Sequence, residues 1–288
     1  MPEGASSKLV NSIPRVDVDA LAAQVPHGAS LSVQKGDERD VPMALAHALI
    51  RRGVRGLHVI TLPTAAYPAS GMMVDLLIGA GCVDSVETSG ISLHELGGAP
   101  RFTQAVKSGR LTVLDATCPA VYAALQAGAK GQPFAPLRGL IGSDLLRHRS
   151  DYRVIDNPFA PGDAIVVVPA INADVAIFHA DRADAEGNVW IGRDRDRLLA
   201  AHAANRVLVT VDRIVPGSFF DDEGAAAGVI PSSCIDAIAV VPGAGLPLAA
   251  DGRLDLAEVR RYHRAAMDDA GFDDYLRAAV FGREAQSP

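Results

Sequence analysis

Cysteine is scarce and scattered: Cys82, Cys118 and Cys234 lie far apart and form no C-x-x-C pair. That argues against a disulfide framework or a zinc knuckle and points to a reducing cytoplasm. Lysine is scarce too, at positions 8, 35, 107 and 130 only, so arginine supplies most of the positive charge in an alanine-rich chain, as in a GC-rich bacterial gene. The net charge is −7 and no basic run is present that would track a phosphate backbone, so nucleic acid is not an expected partner. Long apolar runs are absent. The first 25 residues have no signal-like apolar stretch, and the most apolar window, 164–178, is broken by Pro169, Asn172 and Asp174. Neither secretion nor membrane spanning is expected. The G-x-S-x-G elbow and the G-x-x-x-x-G-K-[ST] loop are both missing, which sets aside serine-hydrolase and P-loop nucleotide chemistry.

What the chain does have is 288 residues with 49% apolar content, enough for one large α/β domain or two smaller ones. Short, continuous, β-branched runs recur at 57–62, 111–114, 164–168, 175–178, 207–211 and 235–241. Continuous rather than alternating apolar residues are expected of strands buried on both faces. Between them, 41–52, 72–78, 102–107, 121–126 and 197–204 carry helical periodicity. The alternation predicts a mostly parallel sheet with helices on both faces. Asp40 reads as the N-cap of the helix that Gly53 closes. The segment 131–161, rich in Gly, Pro and Arg, is expected to be an irregular functional loop rather than a strand cluster. Residues 255–281 read as two amphipathic helices broken at Gly271.

Several residues could carry chemistry, each with an ordinary structural alternative. Glu186-Gly187-Asn188 after the 175–178 run either presents backbone groups to a ligand or is simply a tight turn. His179 and Asp181 share a face of an extended chain, but no third ligand stands at a metal-binding spacing. Glu95 can be a nucleophile or a general base, or a capping acid ahead of Leu96-Gly97-Gly98; Glu87 fits capping better. Arg138, Arg147, Arg149 and Arg153 suit a substrate carboxylate or the phosphates of a nucleotide, or are ordinary surface charges.

Four passages, in order, carry a family resemblance: Val41-Pro42-Met43-Ala44-Leu45; Asp75-Leu76-Leu77-Ile78-Gly79-Ala80-Gly81 leading to Ser92-Leu93-His94-Glu95-Leu96-Gly97-Gly98-Ala99-Pro100-Arg101-Phe102; Asp174 to Asp184 with Gly187-Asn188-Val189; and Val209-Thr210-Val211-Asp212-Arg213-Ile214-Val215. Over about residues 25–280 the chain resembles the α subunit of family I CoA-transferases of the glutaconate and 3-oxoacid type. The resemblance implies a Rossmann-like αβα sandwich spanning residues 1–288 as one domain, with a mostly parallel central sheet, a fold shared with sugar-phosphate isomerases. It implies a homologous β subunit in an α₂β₂ assembly, and acyl-CoA as the substrate. Coenzyme A is then a substrate, and neither a cofactor nor a metal is called for. In such enzymes a Glu attacks the thioester and becomes a glutamyl-CoA thioester, and that Glu usually belongs to the β subunit.

A related group, steroid-ring-opening hydrolases on the same frame, uses an α-subunit Glu in the region that Glu95 matches, with His94 one residue away. Glu95 is therefore the catalytic candidate of this chain, and His179, Asp181, Gly187, Asn188 and Arg149 are candidates for binding substrate. The alternatives to transfer are a hydrolase or ring-cleaving enzyme using Glu95, and a structural subunit without chemistry. Three departures from the family pattern stand out: Val33-Gln34-Lys35-Gly36-Asp37-Glu38-Arg39 in place of a Gly-Gly-Phe loop, Pro242-Gly243-Ala244-Gly245-Leu246-Pro247, and Thr61-Leu62-Pro63-Thr64.

Overall fold

The structure, a computed structural model, describes residues 13–35, 40–243 and 254–282. Most of the two glycine-bearing departures, positions 36–39 and 244–247, lies outside the described residues. The strands are β1 (Arg15–Val16), β2 (Ser30–Gln34), β3 (Leu57–Leu62), β4 (Val83–Thr88), β5 (Thr112–Asp115), β6 (Phe134–Leu137), β7 (Arg153–Asp156), β8 (Ala164–Pro169), β9 (Val175–Ala183), β10 (Val189–Trp190), β11 (Val207–Ile214), β12 (Val229–Ile230) and β13 (Ala237–Val240). The helices are α1 (Val18–Ala22), α2 (Met43–Arg52), α3 (Pro68–Gly79), α4 (Pro100–Lys107), α5 (Cys118–Ala129), α6 (Leu145–His148), α7 (Arg195–His202), α8 (Glu223–Ala226), α9 (Leu256–Ala265) and α10 (Asp269–Tyr275). The main sheet runs β1-β13-β11-β9-β2-β3-β4-β5, with every neighbouring pair parallel; β10 and β12 add a short antiparallel flap beyond β9. The α/β reading and the parallel sheet are as the sequence predicts.

Helices cover both faces. On one face, Leu31, Val33, Leu57 and Val59 of the sheet pack with Leu45 and Leu49 of α2 and with α3. On the other, Ile60, Leu62 and Ala176 pack with Val121 and Leu125 of α5 and Ala200 of α7. Helix α3 is buried along most of its length, because α9 and α10 lie over it as an extra layer. Burial all round leaves Asp75 of α3 inside the protein, where it accepts hydrogen bonds from Phe102 N (2.6 Å), Arg101 N (3.3 Å) and the Tyr262 hydroxyl (2.7 Å). Burial raises the Asp75 pKa, and it raises that of Tyr262 as well. Beside them Arg101 bonds Asp269 and stacks 4.8 Å from the Phe272 ring centroid. This buried polar knot fastens α9 and α10 to α3 and α4.

Several sequence expectations are corrected. Segment 131–161 is not wholly irregular: β6 and β7 flank β8 in a separate three-stranded antiparallel sheet, so the 164–168 run does not join the parallel sheet. Pro136 within β6 and the polar ends of β7 hide the strand pattern from the sequence. The inner face of this small sheet, with Ala135, Val166 and Val168, closes the core over α5. Its outer face carries Phe134, Ile155 and Val167 around a groove of about 440 Å³. Asp40 does not cap α2, whose N-cap is Pro42 without a side-chain bond; Asp40 is drawn instead toward Arg197. The last helices break at 266–268 rather than at Gly271, because the Asp268 carboxylate caps α10 by accepting from Gly271 N at 2.8 Å.

Tyr262→Phe removes one donor from a buried carboxylate without opening a cavity. It should lower the unfolding free energy by about 2 kcal/mol, read from urea denaturation at neutral pH.

Candidate functional site

The chain builds β2 to β5 outward in one direction, then returns at β9 beside β2 and builds β11 and β13 in the other. In open parallel sheets the loops at such a reversal diverge and leave a crevice beyond the C-terminal strand ends. The reversal here falls between β2 and β9. Above Ile177, β9 has left β2 and keeps only β11 beside it along its length, and His179 N donates to the Asp40 carbonyl at 2.8 Å.

Helix α7 leans over this corner. Its N-cap Asp194 accepts from Asp196 N and Arg197 N, so its first backbone donors are already satisfied. The Arg197 guanidinium bonds the carbonyls of His179 (3.0 Å) and Ile191 (3.1 Å) and the Asp194 carboxylate (3.0 Å), with Asp40 at 3.9 Å. Asp196 receives the Tyr122 hydroxyl at 2.9 Å and stands 3.4 Å from Lys35 Nζ. No catalytic spacing marks Lys35, Tyr122 or Arg197. The signal in the sequence is the Arg193-Asp194-Arg195-Asp196-Arg197 alternation ahead of a helix.

His179 and Asp181 share a face of β9 with Thr210 and Asp212 of β11, as the pairing of His179 with Thr210 requires. The His179 ring is buried; its Nδ1 is 2.9 Å from the Thr210 hydroxyl and its Nε2 is 3.5 Å from the Asp212 carboxylate. Asp212 also accepts from Gly243 N at 2.8 Å, so the pair connects the ends of β9, β11 and β13. Burial lowers the His179 pKa, and Asp212 offsets only part of that, so the ring is neutral at pH 7. Asp181 is partly exposed and held by both terminal nitrogens of Arg213, at 3.0 and 2.9 Å. Among the described residues no group of three or more His, Cys, Asp or Glu could hold a metal.

Gly187 and Asn188 form a tight turn built around Asp184, which is fully buried. The Asp184 carboxylate accepts from Glu186 N, Asn188 N, Asn188 Nδ2 and Phe219 N, all within 2.9 Å. The Asn188 side chain accepts from Ser232 N at 2.8 Å, and Gly187 takes φ +88°, which favours glycine. Both residues are therefore engaged in shaping the turn after β9.

Glu95 stands elsewhere on the same edge, past the end of β4. The loop is pinned by bridges Ala65 to Ile91 and Ser92 to Gly98, and Glu95 lies on the single turn His94–Leu96 between them. Helix α3 approaches so closely that a Cβ on Gly71 would sit 1.9 Å from the Ser92 carbonyl oxygen, so only glycine fits there. His94 takes φ +54° and stacks on Tyr67, with ring centroids 6.0 Å apart. The Glu95 side chain is exposed, and no described residue bonds it. Three strand spacings separate β4 from β9, about 14 Å, so the fold does not bring Glu95 and His179 together.

Arg149 is 4% exposed. It bonds Glu87 of β4 (2.7 Å), the Asp115 carbonyl (3.0 Å) and both Asp151 carboxylate oxygens (2.9 and 2.8 Å), and it stacks 4.0 Å from the Tyr152 ring centroid. Its guanidinium joins segment 131–161 to the outer strands of the sheet. Glu87 is accordingly an ion-pair partner and not a helix cap. Arg138, Arg147 and Arg153 are also engaged, with Asp163, Asp144 and the Ser150 and Tyr152 carbonyls.

The sequence pattern of the coenzyme A transferase family matches residues 16–240. The chain belongs to that family. It is 34% identical over 254 residues to the α subunit of 3-oxoadipate CoA-transferase from Pseudomonas knackmussii, covering 82% of this chain and 84% of that one. It is also 28% identical over 283 residues to the cholesterol ring-cleaving hydrolase IpdA subunit of Mycobacterium tuberculosis, covering 94% of each. Among solved structures, glutaconate coenzyme A-transferase from Acidaminococcus fermentans superposes with a TM-score of 0.81 at 26% identity, over 93% of this chain and 89% of that one. Family membership thus agrees with the α/β fold and the resemblance carried by the motifs.

Two outcomes follow from the site's electrostatics. Arg149→Met leaves Glu87 buried without its cation and should cost about 3 kcal/mol or more in urea denaturation. The pKa of His179 is lower folded than the 6.5 of a free ring, so an unfolded chain takes up a proton that the folded one refuses. Stability should therefore fall as pH drops below about 6.5, by at most about 1.4 kcal/mol per pH unit from this ring, until the folded pKa is passed. His179→Gln should flatten that part of the slope in unfolding curves taken from pH 7.5 to 4.5.

Proposed function

We propose that this chain is the α subunit of a two-subunit CoA-transferase that moves CoA between an acyl-CoA and a free carboxylic acid. The observation that carries the reading is the family match over residues 16–240, joined to a superposition on glutaconate coenzyme A-transferase along nearly the whole chain. A carboxylate on the partner chain attacks the thioester carbonyl, expelling the CoA thiolate and forming an acyl-glutamyl anhydride. The thiolate then attacks the glutamyl carbonyl, releasing the first acid and leaving a glutamyl-CoA thioester. The second carboxylate accepts CoA through the same two steps in reverse. Splitting the exchange in this way makes each step an ordinary acyl transfer.

The commitments of this chain's own carboxylates support a nucleophile on the partner. Glu87 is paired with Arg149, Asp184 is saturated with N–H donors, Asp75 lies under the C-terminal helices, and Asp212 serves His179 and Gly243. This chain then contributes the opposing wall along the strand ends, in an α₂β₂ enzyme of the cytoplasm, with acyl-CoA as substrate and no further cofactor. No helix among the described residues is long and apolar enough to cross a membrane.

A second reading rests on Glu95: it is exposed on a pinned turn and unbonded by described residues, which leaves its carboxylate free for chemistry, and a ring-cleaving hydrolase subunit is among the relatives. One pair of experiments separates the two. The isolated chain should show negligible CoA transfer, and the complex formed by co-expression with its partner should show robust transfer; robust activity of the chain alone would sink the two-subunit proposal. In that complex Glu95→Gln should leave transfer within a few-fold of wild type. A loss of several orders of magnitude would favour the hydrolase reading instead.

A further inference from the structure

Most arginines among the described residues are tied to a carboxylate, a carbonyl or an aromatic ring. Arg193 and Arg195 are exceptions: both are exposed, and neither has a hydrogen bond or ion pair to any described residue. Their neighbours explain why they are left over. Asp194 is used by the backbone of α7 and by Arg197, and Asp196 is used by Tyr122 and Lys35. The acidic residues of the alternating run are thus spent inward on the fold, and two guanidinium groups remain outward. They flank Asp194 at the start of α7, whose first turn bonds the His179 carbonyl of β9 through Arg197 and approaches Lys35, just past β2, through Asp196. With Asp194 occupying the helix N-terminus, the remaining attraction for an anion at this corner comes from the side chains and not from free backbone donors.

We infer that Arg193 and Arg195 bind the phosphate groups of the adenosine half of coenzyme A and orient its thioester along the strand ends. This inference rests on the reading of the chain as part of an enzyme that uses acyl-CoA. Guanidinium forks suit phosphates, which accept bidentate, charge-assisted hydrogen bonds. In a chain of net charge −7 an anionic substrate needs such a local positive entry. Arg260 and Arg264 provide an internal comparison: they too are exposed and without partners among the described residues, but they lie on α9, in the layer over α3.

The complex with the co-expressed partner is assayed with an acyl-CoA and with the same acyl group on pantetheine, which lacks the adenosine and its phosphates. In R193Q/R195Q, kcat/KM for the acyl-CoA should fall tenfold or more, mainly through KM, while the pantetheine thioester is turned over as before; R260Q/R264Q should match wild type on both. Equal losses on both thioesters, or no loss on acyl-CoA, overturn the inference. Calorimetry with adenosine 3′,5′-bisphosphate gives a readout independent of turnover: wild-type complex should bind it, and R193Q/R195Q at least tenfold more weakly, a difference of about 1.4 kcal/mol. Absent or unchanged binding also overturns the inference. A complex that binds the bisphosphate through these arginines yet transfers no CoA would instead count against the proposed reaction.

Discussion

The parallel ladder between β2 and β9 holds the two halves of this protein together. Leu31, Ser32 and Val33 pair with Val175, Ala176 and Ile177, and among the described residues no other ladder of the parallel sheet joins the half built by residues 30–115 to the half built from residue 175 onward. Its lower end is fixed by a reciprocal contact: Ser30 gives its N–H and hydroxyl to Asp174, and Asp174 N bonds the Ser30 hydroxyl, each at 2.8 Å. Its upper end is fixed where His179 meets the Asp40 carbonyl. A slip of one residue would turn each apolar side chain to the wrong face, so these polar contacts secure the register as well as the join. Just past the point where this seam stops, His179 is enclosed, its N–H taken by Asp40 and its carbonyl by Arg197 of α7.

Much of this was legible in the sequence. Continuous apolar runs such as 57–62 and 207–211 become parallel strands, and the motif order matches the family. What escaped had specific physical causes. The strands β6 and β7 are short, half exposed and partnered only by β8, so neither periodicity nor apolar content separates them from loop. Asp40 stands where an N-cap is expected, but it faces the partly buried Arg197 guanidinium instead. Arg149 resembles a surface cation in a polar stretch, and only the folding of residues 131–161 against β4 and β5 reveals that it is enclosed.

The candidate site was legible in part. His179 and Asp181 could be placed on one face of a strand from their spacing, yet the partners Thr210 and Asp212 come from a strand some thirty residues later, and strand adjacency is not written in local sequence. The Glu186-Gly187-Asn188 turn folds as its dipeptides suggest, with the organising carboxylate of Asp184 supplied from just upstream. Glu95 illustrates the converse: local sequence finds the residue, whereas its exposed carboxylate has no partner among the described residues from which a role could be read. Relatives of this chain are named both as CoA-transferase subunits and as ring-cleaving hydrolase subunits, so the fold by itself does not fix the reaction.

The Glu87–Arg149 pair also has a mechanical consequence. One guanidinium holds Glu87 of β4, the Asp115 carbonyl at the end of β5 and Asp151 of the long excursion after α5, while Ala135, Leu140 and Val166 pack the excursion over α5. Releasing that guanidinium would loosen the excursion and the outer edge of the sheet together.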